Sequence, residues 1–317
     1  MPREGERTLL EKEFNSRIKS IKEDPSFEMD VLYLVEKIDD ISGFFICGKN
    51  TLYMQKNIKS EKSIKYKTGL VDLVLNAKVI SFSADSKFSS DIYNYIEYVG
   101  DNVSSEYNVF LKLCYLYSKN CDEIGFYDFF DSLLKIFQKE SSSARNQVGL
   151  FGELEFIKRY HGSFKEVIDA WHNETMSFYD FTFEEFNLEV KTTTKEFPIF
   201  RVKHNQIFDG KNTYICFINL KKDNSGNTIL DIIDDLNKED CVRENFKFQL
   251  KLESELSKLE KSERNLEKYS CKNIHIVRNS SIDSITGVPS RVSQISYDLD
   301  ITGLRTIEFS DIFVDGK

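Results

Sequence analysis

The chain is poor in the residues that mark several large function classes. Its four histidines, at 161, 172, 204 and 275, form no His-Glu-x-x-His pair, which excludes the common helical zinc-hydrolase arrangement. Its six cysteines, at 47, 114, 121, 216, 241 and 271, include no Cys-x-x-Cys pair and have no histidine at zinc spacing. They read as reduced packing residues rather than a metal or disulfide framework. No complete phosphate loop is present, since the Gly-x-x-x-x-Gly-Lys string at 43–49 is followed by Asn50 rather than Ser or Thr, and there is no Gly-x-Ser-x-Gly elbow, so any use of ATP would need a partner. Four prolines in 317 residues, with no repeat or low-complexity tract, argue against long disordered stretches.

Long apolar runs are missing too. No segment approaches the roughly 18 residues that a membrane span requires. The opening "MPREGERTLLEKEF" is a charged helix start rather than a signal peptide. A cytoplasmic chain without membrane contact is the expectation. An excess of positive charge is also lacking: the net charge of −9 is the wrong sign for holding nucleic acid by general basicity. A local basic groove or a metal-bridged contact stays open.

What is present is an ordinary globular composition, large enough for one large or two medium domains. Residues 1 to about 38 read as helical. Then "GFFICGKNTLYMQK" and "GLVDLVLNAKVISFSAD" bring β-branched and aromatic runs separated by turn residues. Between 107 and 140 the apolar residues fall at helical spacing. The polar "SSSARNQ" at 141–147 offers a serine N-cap for "VGLFGELEFIKRY", where Val148, Phe151, Leu154 and Ile157 form a stripe. A boundary near 141 divides an α+β N-terminal region with linking helices, 1–140, from a second domain, 141–317. In the latter, "NTYICFINLKK" reads as a buried strand and 229–268 as one long, charged, solvated helical region. Late strands follow at "NIHIVRN" and "RVSQISYDL".

The segment "FYDFTFEEFNLEVKTTT", 178–194, puts charge where short strands avoid it. Alternation sets Phe178, Asp180 and Thr182 on one face, opposite Tyr179, Phe181 and Phe183. Glu189 and Lys191 likewise oppose Leu188 and Val190. A turn at 184–187 pairs Phe183 with Leu188, Thr182 with Glu189 and Asp180 with Lys191. Asp180, Glu189 and Lys191 then converge. Two carboxylates and the Val190 backbone carbonyl suit a hard cation such as Mg²⁺, and a neighbouring ammonium suits an attacking water or a phosphate. An ordinary solvated hairpin with a Lys–Asp pair accounts for the same residues. In "GLFGE", Gly149 and Gly152 allow close helix approach and Glu153 lies just off the apolar stripe, placed either to face the hairpin or to sit at the surface.

The order "GLFGE", "FYDFTF", "LEVKTTT" resembles the PD-(D/E)xK nuclease superfamily, in particular the bacterial group known as PD-(D/E)xK motif proteins, over residues 107–215. The literal Pro-Asp is absent, since Tyr179 precedes Asp180. The resemblance implies an α/β fold with a restriction-endonuclease-like mixed sheet flanked by helices, joined to the N-terminal β-containing region. It implies catalytic and metal-binding roles for Asp180, Glu189, Lys191 and Glu153, the last reaching metal through water. The implied cofactor is Mg²⁺, with Mn²⁺ as a substitute, and the implied activity is endonucleolytic hydrolysis of DNA, with duplex as the expected form. It further implies restriction-like antiphage loci, where a homodimer or defence-system partner proteins are open expectations. Downstream, Arg201, Lys203, His204 and Gln206 in "FRVKHNQI" cluster donors suited to phosphate contacts; a basic strand edge that guards against aggregation explains them equally well. The alternative function is a non-cleaving DNA-binding or assembly subunit that retains the fold.

Overall fold

The computed structural model describes residues 4–57, 63–80, 82–83, 88–102, 104–137, 147–163, 165–171, 179–204, 207, 212–259, 267–283, 292 and 295–315. Two compact units are present: Met1–Glu140 with Arg243–Ser257, and Ser141–Val242 with Lys258–Lys317.

In the first unit, helix α1 (Glu4–Glu23) precedes strands β1 (Tyr33–Lys37), β2 (Ser42–Cys47), β3 (Asn50–Lys56), β4 (Ile64–Lys67), β5 (Val71–Val79) and β6 (Asp91–Tyr98). They form one antiparallel sheet in the order β1-β2-β3-β6-β5-β4. The helix expected through residue 38 therefore stops at Glu23. A turn through Asp24, in which the Asp24 carbonyl accepts from the Phe27 N–H, releases the chain into β1.

Alternation divides this sheet between two cores. Phe44, Ile46, Tyr53, Leu73 and Ile96 face α1, α2 (Ser105–Lys119) and α3 (Phe126–Phe137). Phe45, Leu52, Met54 and Tyr93 form a separate cluster on the other face, flanked by Phe82 and Phe88. Helix α2 begins where the Ser104 hydroxyl accepts from the Tyr107 N–H, a cap that supplies one orphan helical donor with an acceptor. In α3 the buried Phe129, Phe130, Leu133 and Ile136 recur at helical spacing. The rings of Phe129 and Tyr117 stack at 4.3 Å, tying α3 to α2.

The second unit opens with α4 (Gln147–Tyr160) and α5 (Glu166–Ala170). Its strands are β7 (Phe181–Thr182), β8 (Asn187–Thr193), β9 (Ile199–Lys203), β10 (Thr213–Asn227), β11 (Tyr269–Arg278) and β12 (Ser296–Asp300). A mixed four-stranded sheet runs β11-β10-β8-β7, with β8 parallel to β10 and the outer pairs antiparallel. The ribbon β9–β12 lays Phe200 and Val202 against Ile215, Phe217 and Val277 on one face of that sheet.

Helix α4 meets β8 at Gly152, where a β-carbon would stand 2.0 Å from Thr192 Oγ1. Glycine is required at this crossing. Helix α4 is buried more widely than a single stripe: Leu150, Phe151, Glu153, Leu154, Phe156 and Ile157 are all covered. The serines expected to cap it lie outside the described residues.

The region expected as one long solvated helix is three: α6 (Ile229–Leu236), α7 (Asp240–Arg243) and α8 (Phe246–Ser257). Thr228 and Asp231 form a reciprocal capping box that starts α6. Asn245 Oδ1 accepts from the Phe248 N–H, starting α8. Helix α8 buries Phe246, Phe248, Leu252 and Leu256 and belongs to the first unit, not to the second as the linear reading had it. There Phe246 packs on Phe129 and Tyr117, and Lys112 Nζ meets Glu253 Oε1 at 2.7 Å. Apolar burial overrides the mixed surface charge of this segment. Helix α9 (Phe309–Asp315) ends the chain's described part. No helix among the described residues is long and apolar enough to cross a membrane.

Candidate active site

Strand β8 sits between β7 and β10, and the faces of its side chains are fixed by pairing. Glu189 lies opposite Ile215 and Lys191 opposite Phe217, so both point to the face that carries the β9–β12 ribbon. Thr192 points the other way, toward Gly152 of α4.

The hairpin register differs from the expected one by two residues. Phe181 pairs with Leu188 and Thr182 with Asn187, and the Phe183 N–H donates to the Phe186 carbonyl across the turn. The turn moves because Phe183 and Phe186 are core residues. Their rings stack at 4.3 Å and meet Phe309 and Phe313 of α9. A slip of two preserves faces. Counting on, Asp180 falls opposite Glu189 rather than Lys191, just outside the two-residue strand β7.

Asp180 is tied to β8 through the main chain: the N–H of Val190, next to Glu189, donates to Asp180 Oδ2 at 2.8 Å. Glu189 is buried, with 3% of its surface exposed, and Lys191 Nζ bonds its Oε1. Glu153, on α4 and 4% exposed, accepts at Oε2 from the Trp171 indole N–H at 3.0 Å. Each carboxylate is thus oriented by a donor.

Burial raises the Asp180 carboxyl well above its usual range, reinforced by the charges of Glu153 and then Glu189 and opposed by Lys191 and the Val190 N–H. Burial also raises Glu189, against the lowering effect of Lys191. Three acids within electrostatic reach of one another in a covered site need positive charge, and Lys191 supplies part of it. A hard cation is the other chemical answer, since the donors are all carboxylate oxygens. The side chains are not drawn into a closed ligand set in this arrangement. Among the described residues, no three His, Cys, Asp or Glu are grouped to hold a metal.

The donors after β8 separate. Phe200 and Val202 face the sheet, so alternation turns Arg201 and Lys203 to the outer, exposed side of the ribbon. Arg201 Nη1 lies 3.4 Å from Asp298 Oδ1 on β12. The His204 N–H donates to the Ile295 carbonyl, and Gln206 lies outside the described residues. Trp171 is the site residue that sequence reasoning overlooked. Its one available signal was rarity, as the single tryptophan of the chain.

A family model described as "Putative PD-(D/E)XK family member, (DUF4420)" matches residues 125–302, more than half of the chain. The chain belongs to the DUF4420 family. The match spans every element that carries Glu153, Trp171, Asp180, Glu189 and Lys191, and the α/β architecture with a mixed sheet flanked by helices accords with the restriction-endonuclease-like fold. Nuclease-like chemistry is thereby the family-level assignment for this DUF4420 member, and divalent metals are the usual cofactors of PD-(D/E)XK nucleases. No curated protein and no solved structure matches the chain.

Proposed function

We propose that the protein is a divalent-metal-dependent DNA endonuclease, acting in restriction or antiphage defence and using Mg²⁺ at Asp180, Glu189, the Val190 carbonyl and Glu153. The observation that carries this reading is the grouping of the half-buried Asp180 with the buried Glu189 and Glu153 and with Lys191 beside them, built on α4 and the β7–β8 hairpin. Burying several like charges is costly unless they are neutralised, and such cost is common where it serves a function.

A bound cation there would polarise the scissile phosphate and lower the pKa of a water ligand. The chain's own residues do the remaining work. Asp180 is held by the Val190 N–H, which fixes its carboxylate relative to β8. Lys191, its side chain 18% exposed and its Nζ beside Glu189, offers N–H donors to an attacking water or to a phosphate oxygen gaining charge. Arg201 and Lys203, on the exposed face of the ribbon, are proposed to meet duplex phosphates away from the cut.

Supercoiled plasmid and phage DNA, modified and unmodified, incubated with Mg²⁺ or Mn²⁺ provide the test. Wild type nicks or linearises the DNA, whereas Lys191→Ala and EDTA-treated protein do not. Absence of metal-dependent cleavage across these substrates, with DNA binding retained, would assign the chain as a non-cleaving subunit instead.

A further inference from the structure

Trp171 touches both α4, through Glu153, and β7, through Phe181. Its side chain is fully buried, and its indole, which can only donate, does so to Glu153 Oε2 at 3.0 Å. Its main chain forms an antiparallel bridge with Phe181, the neighbour of Asp180. Asp180 in turn accepts from Val190, beside Glu189. One residue therefore links the helix acid to the hairpin acids, by its ring on one side and its backbone on the other.

We infer that Trp171 is a positioning residue for the acidic group: its indole fixes the orientation of the Glu153 carboxylate, one of the three acids proposed to take a divalent cation. This rests on the metal-dependent reading above. A neutral donor to a carboxylate makes a charge-assisted bond, roughly twice as strong as a neutral pair, and a glutamate fixed at one oxygen loses most of its rotamer freedom before the cation arrives. Groups that orient metal ligands in this way typically alter affinity or activity by about 10–100-fold when removed. Phenylalanine at 171 keeps an aromatic ring and the main-chain bridge but deletes the donor.

Because the chain has a single tryptophan, its indole N–H gives one assignable NMR cross-peak. Three results are expected. Glu153→Leu moves that peak in metal-free protein, since it removes the acceptor. Ca²⁺ moves it saturably in wild type, following the same curve as heat released in calorimetry. Trp171→Phe weakens Ca²⁺ binding by about tenfold and raises the Mg²⁺ concentration for half-maximal cleavage similarly, while the rate at saturating Mg²⁺ falls less than threefold.

An indole peak indifferent to Glu153→Leu would overturn the pairing. Calorimetric Ca²⁺ binding with an unmoved peak, or an unchanged affinity in Trp171→Phe, would overturn the positioning role and leave the metal reading standing. No Ca²⁺ binding by wild type at all would overturn both. If Trp171→Phe fails to fold, the peak measurements on wild type and Glu153→Leu decide alone.

Discussion

At the scale of single residues, the candidate site is a balance of like charges, and its pH dependence follows. The folded-state pKa of Asp180 is raised, first by burial and then by Glu153 and Glu189. The folded protein therefore holds this proton more tightly than the unfolded chain does. A group raised in this way favours folding at acid pH, and that contribution falls as pH climbs from the unfolded carboxylate value, near 4, through the raised folded value. At pH 7, above the unfolded value, the wild type bears a cost that is absent near pH 4. Asp180→Asn keeps an acceptor for the Val190 N–H and removes the charge, so its melting temperature should exceed that of wild type at pH 7. The difference should shrink toward pH 4. Cleavage in the same protein, and in Glu189→Ala, should fall more than about 100-fold, beyond the usual loss for a residue that only orients a ligand. A variant that melts below wild type at pH 7 and cuts DNA normally would remove Asp180 from the site. Glu153→Gln retains an acceptor for the Trp171 indole, so its loss should be smaller, about 10–100-fold. Nicking rates measured side by side would rank them, and an equal or greater loss at Glu153 would make it a direct ligand.

Between elements, the decisive contact is the crossing of α4 over β8. Alanine at 152 would gain about 1 kcal/mol of helix propensity over glycine. It would also drive a β-carbon to 2.0 Å from Thr192 Oγ1 and 3.1 Å from Thr192 Cγ2. Overpacking of this kind costs about 1–3 kcal/mol, so the clash outweighs the propensity. Urea unfolding should show Gly152→Ala destabilised, with part of the loss recovered in Gly152→Ala/Thr192→Ala because the two sites share one contact. A stabilised single variant would mean that the helix has room to move. The need for a small residue here was legible in "GLFGE", as were the alternating faces of the hairpin, since both depend on local spacing. The register was not, because Phe183 and Phe186 are claimed by aromatic packing with α9, more than 120 residues away in sequence. Nor was the destination of α8. Its charges look solvated in one dimension, yet Phe246 belongs to the core of the first unit and Leu250 packs against it. Trp171 gave no local signal of its partner, because an indole–carboxylate pair 18 residues apart has no periodicity to betray it.

Across the whole molecule the dominant fact is a net charge of −9 on a chain proposed to hold a polyanion. Asp180, Glu189 and Glu153 add repulsion at the point where the scissile phosphate would lie, and Lys191 offsets only part of it. Binding at this site should then require a divalent cation to bridge like charges. Ca²⁺ takes oxygen ligands as Mg²⁺ does, with looser geometry, so it should restore binding without efficient hydrolysis. Gel shifts in EDTA and in Ca²⁺ must be compared at one ionic strength, because phosphate contacts weaken with salt and would imitate a metal effect. Wild type should bind at least about tenfold more tightly with Ca²⁺, a difference of about 1.4 kcal/mol. Asp180→Asn should need Ca²⁺ less, since losing one charge does part of the cation's work. If wild type binds equally in EDTA and Ca²⁺, DNA is held by surfaces remote from the hairpin. The exposed Arg201 and Lys203 on the ribbon then become the first positions to reverse in charge.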